Sequence, residues 1–315
     1  MAIGGDLENI SFGYPDKHIG EIIDISGCPL HVPIIEECIE VMTPLIKEFK
    51  IQPYDMRNQR GELKYIHFIT NRDQTEIMVR FVLRSLEARE RVPKLLNKLQ
   101  LEMPKVKVGS YSIQPDHKAV LEGEVEYFLT DQRSIVEIYN NISFHIGPRS
   151  FFQVTPEIAE ILYRRVEEFI KTHHVQSLLD LYCGVGGFGI HAARAGARVH
   201  GVEISDEAIY LAKMNAVPFP NTSYEVRDAD HMLSDDLRGY EAILVNPPRR
   251  GLTLECIKFI LRASPKYLIY SSCSPEVQAK EWSQFEKDFE IIHREAFDMF
   301  PMNNHFESLI IAKKK

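Results

Sequence analysis

Two residues near the C-terminus are the best equipped for chemistry. Cys273 closes the run Tyr270-Ser271-Ser272-Cys273, and Glu307 ends Asn303-Asn304-His305-Phe306-Glu307. Upstream lie a glycine-rich loop from Asp180 to Gly189 and the turn Asn246-Pro247-Pro248-Arg249-Arg250-Gly251. A thiol can add to an electrophilic ring, a carboxylate can take a proton from carbon, and a glycine loop can hold a cofactor. Together they are the parts needed to alkylate an unreactive ring carbon. The plainer reading of Cys273 is a small buried hydrophobe, which its place after two serines disfavours. For Glu307 it is a solvated strand carboxylate. His305 either orients Glu307 or caps a turn.

The elements that must position these residues lie downstream of about residue 145. Thr155-Pro156-Glu157 reads as an N-cap, a first-turn proline and an early acid, opening a helix through Ile170 with Ile158, Ile161, Leu162, Val166 and Ile170 on its apolar side. Strands follow at 176–182, 198–202, 242–245 and 267–271, alternating with helices at 191–195 and 206–215. Segments 290–297 and 307–312 are close enough for an antiparallel closing pair. The alternation predicts a seven-stranded, mainly parallel α/β sheet covered on both faces. Residues 1–145 read instead as a smaller α+β domain. It has strands at 65–70, 76–84, 106–114, 124–130 and 135–140, taken as antiparallel, and helices at 32–49 and 85–100.

The loop Asp180-Leu-Tyr182-Cys-Gly184-Val-Gly186-Gly-Phe-Gly189 follows a strand and opens a helix, and Glu203 ends the next strand, where an acid can bind ribose hydroxyls. On these residues alone NAD and S-adenosylmethionine both remain open. Asp228, after a later strand, either faces an adenine edge or caps the following turn. Asn246-Pro-Pro sits where open α/β sheets place catalytic groups. The next residue is Arg249 and not an aromatic that would stack on an exocyclic amine. The turn also carries no second cysteine of the cytosine-C5 type.

Phe151-Phe152-Gln153, the 180–189 loop, Val245-Asn-Pro-Pro-Arg-Arg-Gly251, Tyr270-Ser-Ser-Cys273 and Asp298-Met-Phe-Pro301 through Glu307 resemble, in order, the RNA uracil-C5 methyltransferase family. Asn at the head of the diproline turn, Arg60-Gly-Glu-Leu-Lys-Tyr65, Phe81-Val-Leu-Arg-Ser85 and Gly27-Cys-Pro-Leu30 are similar to its 23S ribosomal RNA branch; the tRNA branch usually has Asp in the turn. The resemblance implies a Rossmann-like class I S-adenosylmethionine-dependent methyltransferase domain at 146–315, preceded by an RNA-binding domain at 1–145. It implies Cys273 as nucleophile and Glu307 as base, and Gln153, Tyr182, Glu203 and Asn246 at the cofactor, with Gly184 and Gly186 shaping the loop. It implies RNA, foremost 23S rRNA, as partner, and tRNA as the alternative substrate. Members of the branch hold a [4Fe-4S] cluster on four cysteines. Here Cys28 matches the last ligand and no cysteine precedes it, so no cluster is expected. That leaves a cluster-free variant or a chain begun at an internal Met.

Composition agrees. The 315 residues are 44% hydrophobic and 26% charged, as in ordinary globular proteins. The chain has no membrane-length apolar run and no signal-peptide pattern, which predicts the cytoplasm. Five cysteines with no CxxC pair argue for reduced thiols over disulfides or zinc. A net charge of -8 argues against loose binding to polyanions. RNA contacts must come from local cations, and Arg57, Arg60, Lys64, Arg80, Arg84, Arg149, Arg249 and Arg250 are the candidates. A catalytically silent RNA-binding or ribosome-assembly protein and an NAD-dependent oxidoreductase are the readings from other classes.

Overall fold

Alternating β-branched and aromatic residues make Leu63–Thr70 and Ile77–Leu83 strands, and the apolar spacing of Pro33–Glu48 makes it a helix with one buried face. The structure, a computed structural model, describes residues 1–16, 21–116, 121–231 and 239–315. The backbone divides into two units, Met1–Val136 and Glu137–Lys315. The division falls earlier than the sequence placed it, because Tyr139 and Phe144 of the hairpin at 135–146 pack with Tyr163 and Phe152 in the second unit's core.

The first unit contains β1 (Ala2–Gly5), β2 (Ile10–Pro15), β3 (Ile22–Asp24), α1 (Pro33–Glu48), β4 (Leu63–Thr70), β5 (Ile77–Leu83), α2 (Val92–Glu102), β6 (Val106–Ile113) and β7 (Glu126–Phe128). Its sheet runs β3-β2-β1-β4-β5-β6-β7. The expected antiparallel pairing fails at one step. β5 and β6 are parallel, because α2 lies between them and a helical crossover returns the chain in the same direction. Helix α2 also begins later than the predicted residue 85. Glu62 holds Ser85 by its amide at 3.1 Å and its hydroxyl at 2.7 Å, tying that stretch to the start of β4.

Several of the expected RNA-binding cations are internal to this unit. Arg80 is buried and bound by Glu126 and Glu122, Arg84 pairs with Glu62 at 2.8 Å, and buried Lys64 is spent on Gln114 and the Asp116 carbonyl. Arg57 and Arg60 are exposed.

The division between the units falls within β8 (Ile135–Tyr139), which forms a hairpin with β9 (Ile142–Ile146) of the second unit. There follow α3 (Pro156–Thr172), β10 (Ser177–Leu181), α4 (Gly187–Arg194), β11 (Arg198–Glu203), α5 (Asp206–Asn215) and β12 (Thr222–Val226). The chain ends with β13 (Ala242–Val245), α6 (Leu254–Ala263), β14 (Tyr267–Ser272), α7 (Pro275–Phe285), β15 (Phe289–Phe297) and β16 (Glu307–Lys314). The sheet order is β12-β11-β10-β13-β14-β16-β15, parallel except where β16 runs antiparallel to both neighbours. This is a Rossmann-like sheet with the antiparallel closing pair that the sequence predicts.

Successive strand residues serve opposite layers. Leu178, Leu244 and Ile269 enter the core with α3, while Leu179, Ile243 and Leu268 enter the core with α6. Each such side chain contributes roughly 1.5–3 kcal/mol by burial. Helix α3 starts at Pro156 as expected, yet it buries Ala159, Leu162, Tyr163, Val166, Phe169 and Ile170, leaving Ile161 exposed. Two aromatics widen and turn the stripe away from Ile161. Thr155 does not cap the helix; its hydroxyl donates to the Met299 carbonyl at 2.8 Å.

Candidate active site

Strand register gathers the chemistry. Leu181 pairs with Val202 and with Val245, and Val245 pairs with Tyr270. One step beyond these rungs, Glu203, Tyr182, Asn246 and Ser271 therefore stand side by side at the carboxyl ends of β11, β10, β13 and β14. Ser272 pairs with Ser308 across β14 and β16, so the next rung sets Cys273 opposite Glu307. β10 is also where the strand order reverses, the position at which open α/β sheets bind ligands.

A cavity of about 530 Å³ lies over this edge, within the range for nucleotide-sized ligands. Gln153, Tyr182, Gly184, Glu203, Asp228, Asn246, Cys273 and Glu307 all line it. Gly186 does not. It stands at the N-cap of α4 with φ +90°, where a Cβ would meet the Tyr224 hydroxyl at 3.0 Å, so it shapes the loop from behind. Tyr182 also takes a left-handed φ of 60°, unusual for a bulky residue, and so turns off β10 into the glycine loop. Arg249 and Phe300 line the cavity too.

Glu203 curls back on its own backbone. Its Oε1 accepts from the amides of Ile204 at 2.8 Å and Ser205 at 3.1 Å, and its Oε2 accepts from Gly184 at 3.3 Å. This fixes the carboxylate at the loop. Asp228 lines the cavity and also accepts from His231 at 2.7 Å. The Oε1 of buried Gln153 meets no donor among the described residues, which suits it to a ligand N–H.

Glu307 is almost wholly buried, and desolvation pushes its carboxyl up to about 7. Hydrogen bonds from Ser271 at 2.5 Å and Asn246 at 3.1 Å oppose that rise. Cys273 is half-buried, and its thiol is raised by burial and by the Glu307 charge, while the Arg249 guanidinium draws it toward the thiolate. His305 is exposed, and its amide donates to Asn303 at 2.7 Å; it serves the turn. Ser271 was not recognised in the sequence, although it sits two residues before Cys273 and so shares its side of the chain.

The family model for tRNA (uracil-5-)-methyltransferase matches residues 31–315. The chain belongs to this family. The enzyme named 23S rRNA (uracil(747)-C(5))-methyltransferase RlmC from Xenorhabdus nematophila is 37% identical over 313 residues, covering 99% of this chain and 83% of that protein. The enzyme of the same name from Yersinia pseudotuberculosis is 36% identical over the same shares. Among solved structures, the Pyrococcus abyssi tRNA (uracil-54, C5)-methyltransferase in complex with S-adenosyl-L-homocysteine superposes with a TM-score of 0.80. It is 26% identical, covering 99% of this chain and 74% of that one.

The chain is thus an S-adenosylmethionine-dependent RNA methyltransferase, and the NAD reading that the glycine loop left open is closed. The iron-sulfur cluster of the branch does not fit the donor set described here. Cys28 lies in the turn before α1, Cys38 is buried within α1 with its thiol raised to about 12 by desolvation, and no group of three ligating side chains occurs among the described residues. No helix among those residues is long and apolar enough to cross a membrane.

Proposed function

We propose that this enzyme forms 5-methyluridine in 23S rRNA, at the kind of uridine named for its Xenorhabdus and Yersinia relatives, with Cys273 as nucleophile and Glu307 as base. The observation that carries this is the placement of the two opposite one another at the end of β14 and the start of β16, at one cavity. S-adenosylmethionine, when bound, supplies an electrophilic methyl group. Glu203 suits the ribose hydroxyls, Asp228 the adenine edge, and Gly184 and Tyr182 the approach of the nucleoside to the loop. Gln153 and Asn246 lie where they can hold either partner.

The uracil ring is a poor carbon nucleophile at C5. The Cys273 thiolate adds to C6, and the displaced electron pair moves through C5 to O4, giving an enolate whose C5 would take the methyl group as its bond to the sulfonium sulfur breaks, leaving S-adenosylhomocysteine. Glu307 then takes the remaining C5 proton. The C5–H electron pair restores the C5=C6 bond and the thiolate leaves C6, so the enzyme returns with its thiolate and with the one proton on Glu307, which it then releases. A carboxyl near 7 suits the step, since it is ionised enough to accept a proton at neutral pH and basic enough to pull one from carbon.

The target uridine must leave any stack to enter the cavity, and exposed Phe151 at the cavity with Arg249 and Arg250 offers a ring face and phosphate contacts. The cytoplasm, with its unmodified ribosomal RNA and reduced thiols, is the matching compartment. The test is tritiated methyl transfer to unmodified 23S rRNA and to unmodified tRNA at equal salt. Label in 5-methyluridine of the rRNA is the expected result. Equal or better turnover on tRNA would reverse the substrate ranking, and no transfer to either would favour an RNA-binding protein that has kept the fold.

A further inference from the structure

We propose that Ser271 and Asn246 are positioning residues that hold Glu307 by one oxygen, Oε1, and so leave Oε2 to take the proton. This rests on Glu307 being the base. The Ser271 side chain is wholly buried on β14, and its hydroxyl donates to Oε1 at 2.5 Å. The Asn246 amide donates to the same oxygen at 3.1 Å and to the Ser271 carbonyl at 3.2 Å. Two acceptors on one side fix which way the amide points, because the reversed amide would press its own oxygen against both. Oε2 receives neither bond. One carboxylate oxygen is therefore anchored from two adjacent strands, and the other is free of both donors in a residue that lines the cavity.

The anchoring has a chemical consequence. Both donors favour the ionised carboxylate, and they counter the desolvation that favours the neutral acid. The other titratable groups facing Glu307 are the Tyr163 phenol from α3 and the Cys273 thiol at the end of β14, with Arg249 beyond the thiol; across the sheet, β15 presents Phe297. Among the described residues the donors to the Glu307 carboxylate are Ser271 and Asn246, so these two set the ionisation of the base against burial. Asn at the head of the diproline turn is then more than a branch signature. A carboxylate in its place would face Glu307 across a hydrogen-bond distance and oblige the pair to share a proton.

The experiment follows decay of the covalent methylated RNA–enzyme adduct against pH, in single turnovers on unmodified 23S rRNA with tritiated S-adenosylmethionine. In the wild type decay should speed up through about pH 7. In Ser271→Ala the midpoint should move up by about one unit, so that adduct decays roughly tenfold more slowly at pH 6 and nearly normally at pH 9. Ser271→Thr, which keeps the hydroxyl, should restore the midpoint. Asn246→Asp, which barely alters volume, should raise it as well and decides the matter should Ser271→Ala not fold. Midpoints in Ser271→Ala and Asn246→Asp that match the wild type would overturn the positioning role. A Glu307→Gln enzyme that turns over normally would instead overturn the base itself, and the two failures are read from different proteins.

Discussion

The two units bury charge in opposite ways. In the first, Arg80 is buried and its guanidinium donates to both oxygens of Glu126, at 2.9 and 2.8 Å, and to Glu122 at 2.5 Å. Burial disfavours the charge there, but the pairing with Glu126 and Glu122 outweighs it, and the arginine is held more firmly charged than in water. In the second unit Glu307 and Asp180 are buried with no ion pair among the described residues. Desolvation raises the former to about 7 and the latter to about 8, where Glu203 adds to the rise and the Gly189 amide opposes it. A buried pair is a structural device. A buried carboxyl answered only by neutral donors keeps a proton available at neutral pH, and the sheet edge where that happens is the edge that carries Cys273.

The largest effect should come from the thiol. Cys273→Ala should abolish methylation and also covalent capture of RNA, because nothing can add at C6. Glu307→Gln should slow turnover by roughly 10²–10⁴-fold, the usual worth of a positioned base. It should still add and methylate, so a methylated adduct should collect as a slow band on a denaturing gel. A Cys273→Ala enzyme that still forms the band would remove the thiol from the mechanism.

The contrast between paired and unpaired charge is sharpest in stability. Arg80→Met strands Glu126 in the interior and should cost roughly 3–5 kcal/mol in urea unfolding. Replacing both partners, Arg80→Met with Glu126→Leu, should recover most of that loss. If the double variant is no better than the single one, the pair is not the unit that matters in the first unit's interior.

Glu307 should behave in the reverse sense. Its folded carboxyl titrates near 7 against 4.5 unfolded, so between those values the native state holds the extra proton. Stability from this group is therefore present below about pH 4.5 and is lost as pH rises toward 7, by at most roughly 3 kcal/mol. Glu307→Gln should match the wild type in acid and exceed it at pH 8. Parallel stability curves for the two proteins from pH 4.5 to 8 would show that the carboxyl is not desolvated as described.

Much of this site is legible in the sequence because it is local. The glycine loop, the diproline turn and the strand endings at Glu203 and Val245 announce themselves within a few residues, and the register of parallel strands then aligns them. What is not legible is what crosses strands. Ser271 looks like a spacer before Cys273 until β16 brings Glu307 against it. Lys64, Arg80 and Arg84 look like RNA contacts until Gln114, Glu126 and Glu62 arrive from elsewhere in the first unit to bind them. Composition cannot distinguish a cation that faces solvent from one that faces a distant carboxylate. The same limit explains the missed parallel step between β5 and β6, since pairing direction depends on how α2 packs.

Glu203 is a third kind of acid, anchored by backbone amides rather than by a cation or by neutral side chains, and it gives the smallest of these effects. Three amides fix its carboxylate at the mouth of the glycine loop, with lone pairs remaining for further donors. If those donors are ribose hydroxyls, Glu203→Ala should weaken S-adenosylhomocysteine binding by roughly 1.5–3 kcal/mol, the worth of hydrogen bonds to a charged group. Part of any loss would come from releasing the Gly184 amide and loosening the loop. Glu203→Gln separates the two contributions: it keeps one carbonyl oxygen for the amides and loses the charge. Calorimetric titration should place Gln between wild type and Ala. An Ala variant with wild-type affinity would remove Glu203 from the cofactor site and leave it as a support for the turn.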